Sequence, residues 1–122
     1  MLEKIPSLLT IVICVLTIGG GHAQTSKNVV VAVITNAEGA HLNAYFPALA
    51  QAKEITSVVL SDPSGETVAI ARKSLGKKLT AVYTEPAEML EKEKPVMVLV
   101  SLEAKLAPPA IDLALAAGCH VL

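Results

Sequence analysis

The sequence contains few aromatic side chains from which a core could be built. It has no tryptophan, two tyrosines and one phenylalanine, which together make up 2% of its 122 residues. Hydrophobic residues nevertheless account for 52% of the chain, so the core has to consist of valine, isoleucine, leucine and alanine. This composition is typical of parallel strands that are covered by helices on both faces. The length is that of one domain.

The chain also lacks a strong excess of either charge. Ten basic and eleven acidic residues give a formal net charge of -1, and they are scattered along the sequence. A nucleic-acid-binding surface needs clustered lysine and arginine, so we expect no nucleic-acid partner. The pair Lys77-Lys78 is interpreted as a solvated turn. Neither His41 nor His120 has ligating residues at metal-site spacing, so we predict no metal.

No apolar run in the sequence has the length of a membrane-spanning helix. The longest, LLTIVICVLTI over residues 8–18, has eleven residues, whereas a span needs about 20. Lys4 precedes this run and the small residues of Gly21-His22-Ala23 follow it, which is typical of a signal peptide. We predict a signal peptide over residues 1–23, cleavage after Ala23, and export to the periplasm or the extracellular space. Membrane contact is then limited to the signal peptide, and an uncleaved anchor is the alternative.

Cysteine is scarce, and its positions exclude an internal disulfide in the mature protein. Cys14 lies in the apolar run that is removed with the signal peptide, which leaves Cys119 without a partner. Stability therefore has to come from packing. Cys119 falls on a predicted strand, and we interpret it as a small buried hydrophobic residue.

Apolar runs and helical periods alternate along residues 24–122. Unbroken, β-branched segments predict parallel strands that are buried on both faces, and the segments between them have the period of helices. Right-handed crossovers then give an α/β fold, a Rossmann-like parallel sheet in the order 3-2-1-4-5 with helices on both faces. The predicted strands are 29–34, 56–61, 79–83, 96–100 and 119–122. Of the four predicted helices, the first begins at residue 39, the second covers 66–75, the third begins at Pro86 and the fourth covers 107–117.

Each predicted helix has an apolar stripe with which it can lie on the sheet. Pro47 is expected to kink the first helix or to restart it. The expected stripe residues are Leu42, Tyr45, Phe46 and Leu49 in the first helix, Val68, Arg72 and Leu75 in the second, Met89 and Leu90 in the third, and Ile111, Ala114 and Leu115 in the fourth.

Several collinear segments between Asn28 and Leu122 resemble the N-terminal NAD(P)-binding domain of Gfo/Idh/MocA oxidoreductases. The segments are AVITNAEGAHLNAYFPALA, VVLSDPSGETVAIARKSLG, AVYTEPAEMLEKEKPVMVLVS and AIDLALAAGCHVL. In that family a Glu-Lys-Pro motif with the catalytic lysine follows the last of them. We therefore expect this sequence to be a fragment of a larger two-domain enzyme, truncated before that motif and not catalytic by itself.

The resemblance places the cofactor's phosphate turn, G-x-G-x-x-G/A in the family, on residues 35–40. The candidate cofactor-binding residues there are Thr35, Asn36, Ala37, Gly39 and Ala40, of which Ala40 alone fits the family pattern. Thr35 stands where a tight turn favours glycine, and Ala37 adds a methyl group where the backbone has to approach the pyrophosphate. Glu38 adds a negative charge beside that anion.

The resemblance also implies two contacts beyond the turn. Asp62, at the end of the second strand, corresponds to the acid that binds the adenosine ribose, and it would favour NAD over NADP. Capping of the next helix is an equally good interpretation of Asp62. Ser101 is a further candidate beside the family's Thr-Pro-Asn segment, which falls on Leu102-Glu103-Ala104, while the following histidine falls on Ala107.

Two functions are implied by this resemblance and by the substituted phosphate turn. The first is the NAD- or NADP-binding domain of an exported oxidoreductase that acts on a sugar or polyol. The second is a secreted, noncatalytic Rossmann-like module that no longer binds a dinucleotide tightly, or binds none. In both cases we expect NAD to bind no more tightly than about 100 μM.

Overall fold

A computed structural model describes residues 27–122, which form five strands and four helices. The predicted signal peptide lies outside the described residues. The strands are β1 Val29–Thr35, β2 Ile55–Ser61, β3 Leu79–Tyr83, β4 Met97–Ser101 and β5 His120–Val121. The helices are α1 Leu42–Gln51, α2 Val68–Leu75, α3 Pro86–Glu93 and α4 Ala107–Ala116, and one turn of 3-10 helix, Gly76–Lys78, leads into β3.

The five strands form one parallel sheet in the order β3-β2-β1-β4-β5. The predicted fold class and strand order are therefore confirmed. In the register of the central strands, Val33 of β1 lies beside Leu60 of β2 and Leu99 of β4. Since β1 is paired on both sides and covered on both faces, its residues from Val31 to Thr35 are all buried. This burial explains why an unbroken apolar run forms the central strand.

The two faces of the sheet carry separate cores. On the first face, α1 and α2 pack against alternate strand residues such as Val33 and Leu60, around the fully buried Phe46. On the second face, α3 and α4 pack against the intervening residues such as Ile34 and Val59, with Met89 fully buried. Cys119 belongs to this second core and is 7% exposed, so its interpretation as a buried hydrophobic residue is confirmed, and burial raises the pKa of its thiol.

The apolar stripes of two helices differ from those expected. In α2 the buried residues are Ala71 and Leu75, while Arg72 is exposed. In α4 they are Ala110 and Ala114, while Leu115 is 57% exposed. In both helices an alanine replaces a longer side chain at the contact, since a small residue lets the helix axis lie closer to the sheet.

Helix α1 continues through Pro47 without a restart. Its carboxyl end is stabilised by Lys78, whose ammonium group donates hydrogen bonds to the carbonyl oxygens of Leu49 at 3.1 Å, Ala50 at 2.8 Å and Ala52 at 2.7 Å. A cation there satisfies carbonyl groups that have no partner within the helix. The interpretation of Lys77-Lys78 as a solvated turn is therefore wrong for Lys78.

The helices and the ligating side chains of residues 27–122 limit two other kinds of site. None of the helices described there is long and apolar enough to cross a membrane. In the same part of the chain, no three residues among His, Cys, Asp and Glu are grouped so that they could hold a metal ion.

Candidate functional site

The candidate site lies at the carboxyl edge of the sheet, which we define as the loops 36–41, 62–67, 84–85 and 102–106 that follow β1 to β4. The chain leaves β1 toward one side of the sheet and β4 toward the other, so their loops diverge and open a crevice between them. Ligands of open parallel α/β sheets bind at such a point. The predicted site residues Thr35, Asn36, Asp62 and Ser101 all lie at or directly after these strand ends.

The loop after β1 is tied to β4 by two hydrogen bonds. The Thr35 hydroxyl donates to the Ser101 carbonyl oxygen at 2.9 Å, and the Ser101 hydroxyl donates to the Ala40 carbonyl oxygen at 2.6 Å. Within the loop, the Glu38 amide donates to the Asn36 side-chain oxygen at 3.0 Å. Thr35 and Ser101 thus use their hydroxyl groups to hold the turn against the sheet.

Gly39 is required in this turn by close packing. A Cβ atom at Gly39 would lie 1.9 Å from the Thr35 hydroxyl oxygen and 3.1 Å from a methyl carbon of Leu42. The glycine therefore makes room for the side chain of Thr35. Ala37 and Ala40, by contrast, are exposed and place methyl groups on the outside of the turn.

Helix α1 begins directly after the turn, with His41 in the left-handed conformation at φ 61°. No side chain caps this end of the helix, and its first turn contains no acidic residue. The imidazole of His41 packs edge-on against the Tyr45 ring at 6.0 Å between centroids. Unsatisfied amide groups at a helix N-terminus favour an anion, so this end of α1 is the part of the site that suits a phosphate.

Asp62 is buried, with 1% exposure, and its carboxylate is fully used by its own loop. One oxygen accepts hydrogen bonds from the Ser64 amide at 2.9 Å and the Ser64 hydroxyl at 2.7 Å. The other accepts from the Thr67 amide at 2.9 Å and the Thr67 hydroxyl at 2.6 Å. A carboxylate has about four accepting positions, so a ribose would have to displace one of these donors. The geometry thus describes a capping residue, and ribose binding by Asp62 stays a prediction.

A cavity of about 250 Å³ opens at the ends of β1 and β2 on the second face of the sheet. Its walls are mostly apolar, and Thr35, Asn36 and Ser61 supply the polar atoms among its lining residues. Prolines and leucines from the start of α3, the loop after β4 and the first two turns of α4 also line it: Pro86, Leu102, Leu106, Pro109 and Leu113. A larger groove of about 500 Å³ lies between the other ends of α3 and α4, away from the strand ends.

The carboxyl edge is acidic. Its loops contain five acidic residues and, besides His41, a single basic one, Lys105, which pairs with Glu103 at 3.4 Å. At the opposite edge, the segment 27–28 that precedes β1 and the connections 52–54, 76–78, 94–96 and 117–119 together contain five lysines and one glutamate. The acidic residues of the carboxyl edge are Glu38, Asp62, Glu66, Glu85 and Glu103.

A five-stranded parallel sheet in this order, with a cavity at its switch point, defines the class of Rossmann-like α/β domains. Among solved structures, the fold is similar to that of scyllo-inositol dehydrogenase from Lactobacillus casei, crystallised with bound NAD(H) and scyllo-inositol. The TM-score is 0.61 and the sequence identity 18% over 78% of this chain. The chain spans 27% of the length of that dehydrogenase, in its N-terminal Rossmann region.

This structural similarity confirms the resemblance to a Gfo/Idh/MocA oxidoreductase at the level of the fold. No family model matches the sequence, and neither does a curated protein. At 18% identity the similarity shows the fold alone, and the candidate cofactor-binding residues remain predictions.

The structure adds to the candidate site one residue that the sequence did not indicate. Ser61 lies in the cavity wall with no exposed surface, and within the described residues 27–122 its hydroxyl oxygen has no hydrogen-bond partner. A single serine at the end of an apolar strand matches no sequence motif for a binding site. The alternation of side chains along β2, which places Ser61 on the same face as Val59, is the signal that could have indicated it.

Proposed function

We propose that residues 24–122 are the adenine-nucleotide-binding domain of an exported oxidoreductase of the Gfo/Idh/MocA type, acting on a sugar or polyol. The observation that carries this proposal is the cavity at the switch point of a sheet with the strand order of an NAD(H)-binding dehydrogenase. The bound cofactor would be NAD rather than NADP, because the 2′-phosphate of NADP would meet an acidic edge.

The residues of the site fit the base of this cofactor better than its pyrophosphate. The apolar cavity suits a base, and the uncapped start of α1 suits a phosphate. The methyl groups of Ala37 and Ala40 and the charge of Glu38 oppose a pyrophosphate in the turn. We therefore expect a dissociation constant for NAD no tighter than about 100 μM, equivalent to about 5.5 kcal/mol.

Titration calorimetry with NAD on the purified chain tests this function. Weak, saturable binding supports it, whereas a low micromolar constant would show that the substituted turn still holds the pyrophosphate well. A noncatalytic module is the second candidate, and it is favoured by the acidic edge. A noncatalytic module would give no heat of binding in titrations with NAD, adenosine or adenine at millimolar concentration.

Export is a separate proposal that rests on residues 1–23 of the sequence. Expression of the full chain in a bacterium is expected to give a secreted or periplasmic product whose first residue is Gln24. Mass spectrometry of the intact product measures this directly. Recovery of the full-length chain in the membrane fraction would instead show an uncleaved anchor.

A further inference from the structure

A hydrogen bond joins the loop after β1 to the end of β4. The hydroxyl group of Ser101, the last residue of β4, donates to the carbonyl oxygen of Ala40 at 2.6 Å. Ser101 is 6% exposed, while Ala40 lies at the surface. The bond therefore connects the two sides of the crevice at a place next to solvent.

This hydrogen bond fixes the orientation of the peptide group between Ala40 and His41. The peptide is trans, so its carbonyl and its N–H point in opposite directions. Because the Ala40 oxygen is directed at Ser101, the His41 amide is directed away from the end of β4. An anion that enters the crevice thus meets a carbonyl oxygen directly before α1, where a phosphate needs a donor.

Other amide groups of the same loop are also engaged. The Glu38 amide donates to the Asn36 side-chain oxygen, and the Gly39 amide donates to the Asn36 carbonyl oxygen, both at 3.0 Å. In dinucleotide-binding loops the backbone approaches the pyrophosphate with its amide groups free. The loop therefore has a conformation that does not accept a pyrophosphate unless it rearranges.

The backbone of His41 indicates which rearrangement this is. Its φ of 61° and ψ of 13° lie in the left-handed region, which is unfavourable for a residue with a Cβ atom. Rotating the Ala40–His41 peptide by about 180° turns this φ negative and directs the amide toward β4. The rotation breaks the hydrogen bond to Ser101 but relieves the left-handed conformation. These two effects oppose each other and are of similar magnitude.

We propose that the Ser101 hydroxyl is a latch: it holds the Ala40–His41 peptide in an orientation that excludes phosphate, and a phosphate-bearing ligand binds when this peptide rotates. The start of α1 suits a phosphate once the carbonyl oxygen has turned away. The inference rests on the proposed function, because it takes a dinucleotide as the ligand of the crevice. It adds a conformational control to that function, since part of the weak affinity expected for NAD then comes from opening the latch.

Ser101→Ala tests the latch. Without the hydroxyl donor the rotated orientation should be populated more, so NAD and inorganic pyrophosphate should each bind about threefold to tenfold more tightly, the effect of one hydrogen bond. Thr56→Ala is the matched control, because the Thr56 hydroxyl donates to the Val29 carbonyl oxygen at 3.1 Å at the opposite edge of the sheet. Its affinity for both ligands should equal that of the unmodified chain.

Two substitutions of His41 test the rotation itself. Glycine adopts the left-handed conformation readily and alanine does not, so His41→Gly should bind NAD about threefold or more weakly than His41→Ala. Both variants lack the imidazole, so their difference reports the backbone alone. In NMR spectra, the coupling between the amide and α protons of His41 depends on φ. It should change in ligand-free Ser101→Ala, and in the unmodified chain when NAD is added.

Two results would overturn the latch while the proposed function stands. One is that Ser101→Ala binds NAD no more tightly than the unmodified chain does. The other is an equal gain in Thr56→Ala, which would indicate a general effect of losing a hydroxyl group. If neither NAD nor pyrophosphate binds to the unmodified chain or to Ser101→Ala at millimolar concentration, the proposed function fails together with this inference.

Discussion

Replacing Gly39 with alanine is expected to lower the free energy of unfolding by about 3 kcal/mol, within the range for overpacking a tight site. The added Cβ would lie 1.9 Å from the Thr35 hydroxyl oxygen, a distance that no contact tolerates. Thr35 cannot simply turn away, since it is 1% exposed and its hydroxyl donates to the Ser101 carbonyl oxygen. For a domain of this size, thermal denaturation should show a fall in melting temperature of about 12 to 24 °C.

Two variants show whether this loss comes from the clash. In the background Thr35→Ala the oxygen is absent, so adding Gly39→Ala should cost much less, and the double-mutant cycle should give a coupling of more than about 1 kcal/mol. Gly65→Ala is the matched control for glycine conformation, because nothing lies within 4 Å of its Cβ while its φ is 73°. It should cost about 1 kcal/mol. Additive losses in the cycle would contradict the packing role of Gly39.

The role of Gly39 also changes how the turn is interpreted as a phosphate site. In a dinucleotide-binding loop the glycines let the backbone approach the pyrophosphate. Gly39 instead provides space for a side chain of the protein itself, and Thr35 fills that space. A glycine near this position is thus explained by internal packing, and it does not count as a remnant of anion binding.

The central part of the fold could be predicted because several local signals agreed. β1 and β4 are apolar runs bounded by turns, and turn residues such as Gly39 and Pro95 separate them from the neighbouring helices. Parallel strands with short connections then leave few topologies, because crossovers are right-handed. The order of the sheet followed from this rule and from the number of strands.

Contacts between elements could not be predicted in the same way. Periodicity identifies the more hydrophobic side of α4, but the side that packs is the one with the small residues Ala110 and Ala114. Lys78 is indistinguishable from Lys77 in sequence, and only the position of α1 brings three carbonyl oxygens within its reach. Ser61 could not be recognised as a site residue from the sequence, because most other residues that line its cavity lie more than 20 residues away along the chain.

Replacing Asp62 is expected to have the other large effect on stability. Asp62→Ala would leave the amide and hydroxyl groups of Ser64 and Thr67 without their acceptor, two of them in the buried part of the loop. Each buried donor that loses its partner costs about 1 to 3 kcal/mol, and water can replace the acceptor at the exposed Ser64. We therefore expect a total loss of about 3 kcal/mol in urea unfolding. Asp62→Asn keeps one acceptor and should lose about half as much.

The same hydrogen bonds determine how stability depends on pH. Burial alone would raise the pKa of the Asp62 carboxyl, but the hydrogen bonds from Thr67 and Ser64 outweigh it and hold the pKa below its ordinary value of 3.8. The folded state therefore favours the ionised form. The resulting stabilisation is complete above pH 3.8 and is lost as the pH falls through the lower pKa of the folded state. The difference in unfolding free energy between the unmodified chain and Asp62→Asn should accordingly shrink in acid.

Measuring stability and binding on the same Asp62→Asn protein separates the two roles of this residue. A cap predicts a clear loss of stability and no more than a twofold to threefold change in NAD affinity, since the ribose has no free carboxylate oxygen to bind. A ribose ligand predicts the opposite: nearly unchanged unfolding at pH 7 and a loss of about tenfold or more in affinity. Because all four accepting positions of the Asp62 carboxylate are filled from within the loop, we expect the first pattern.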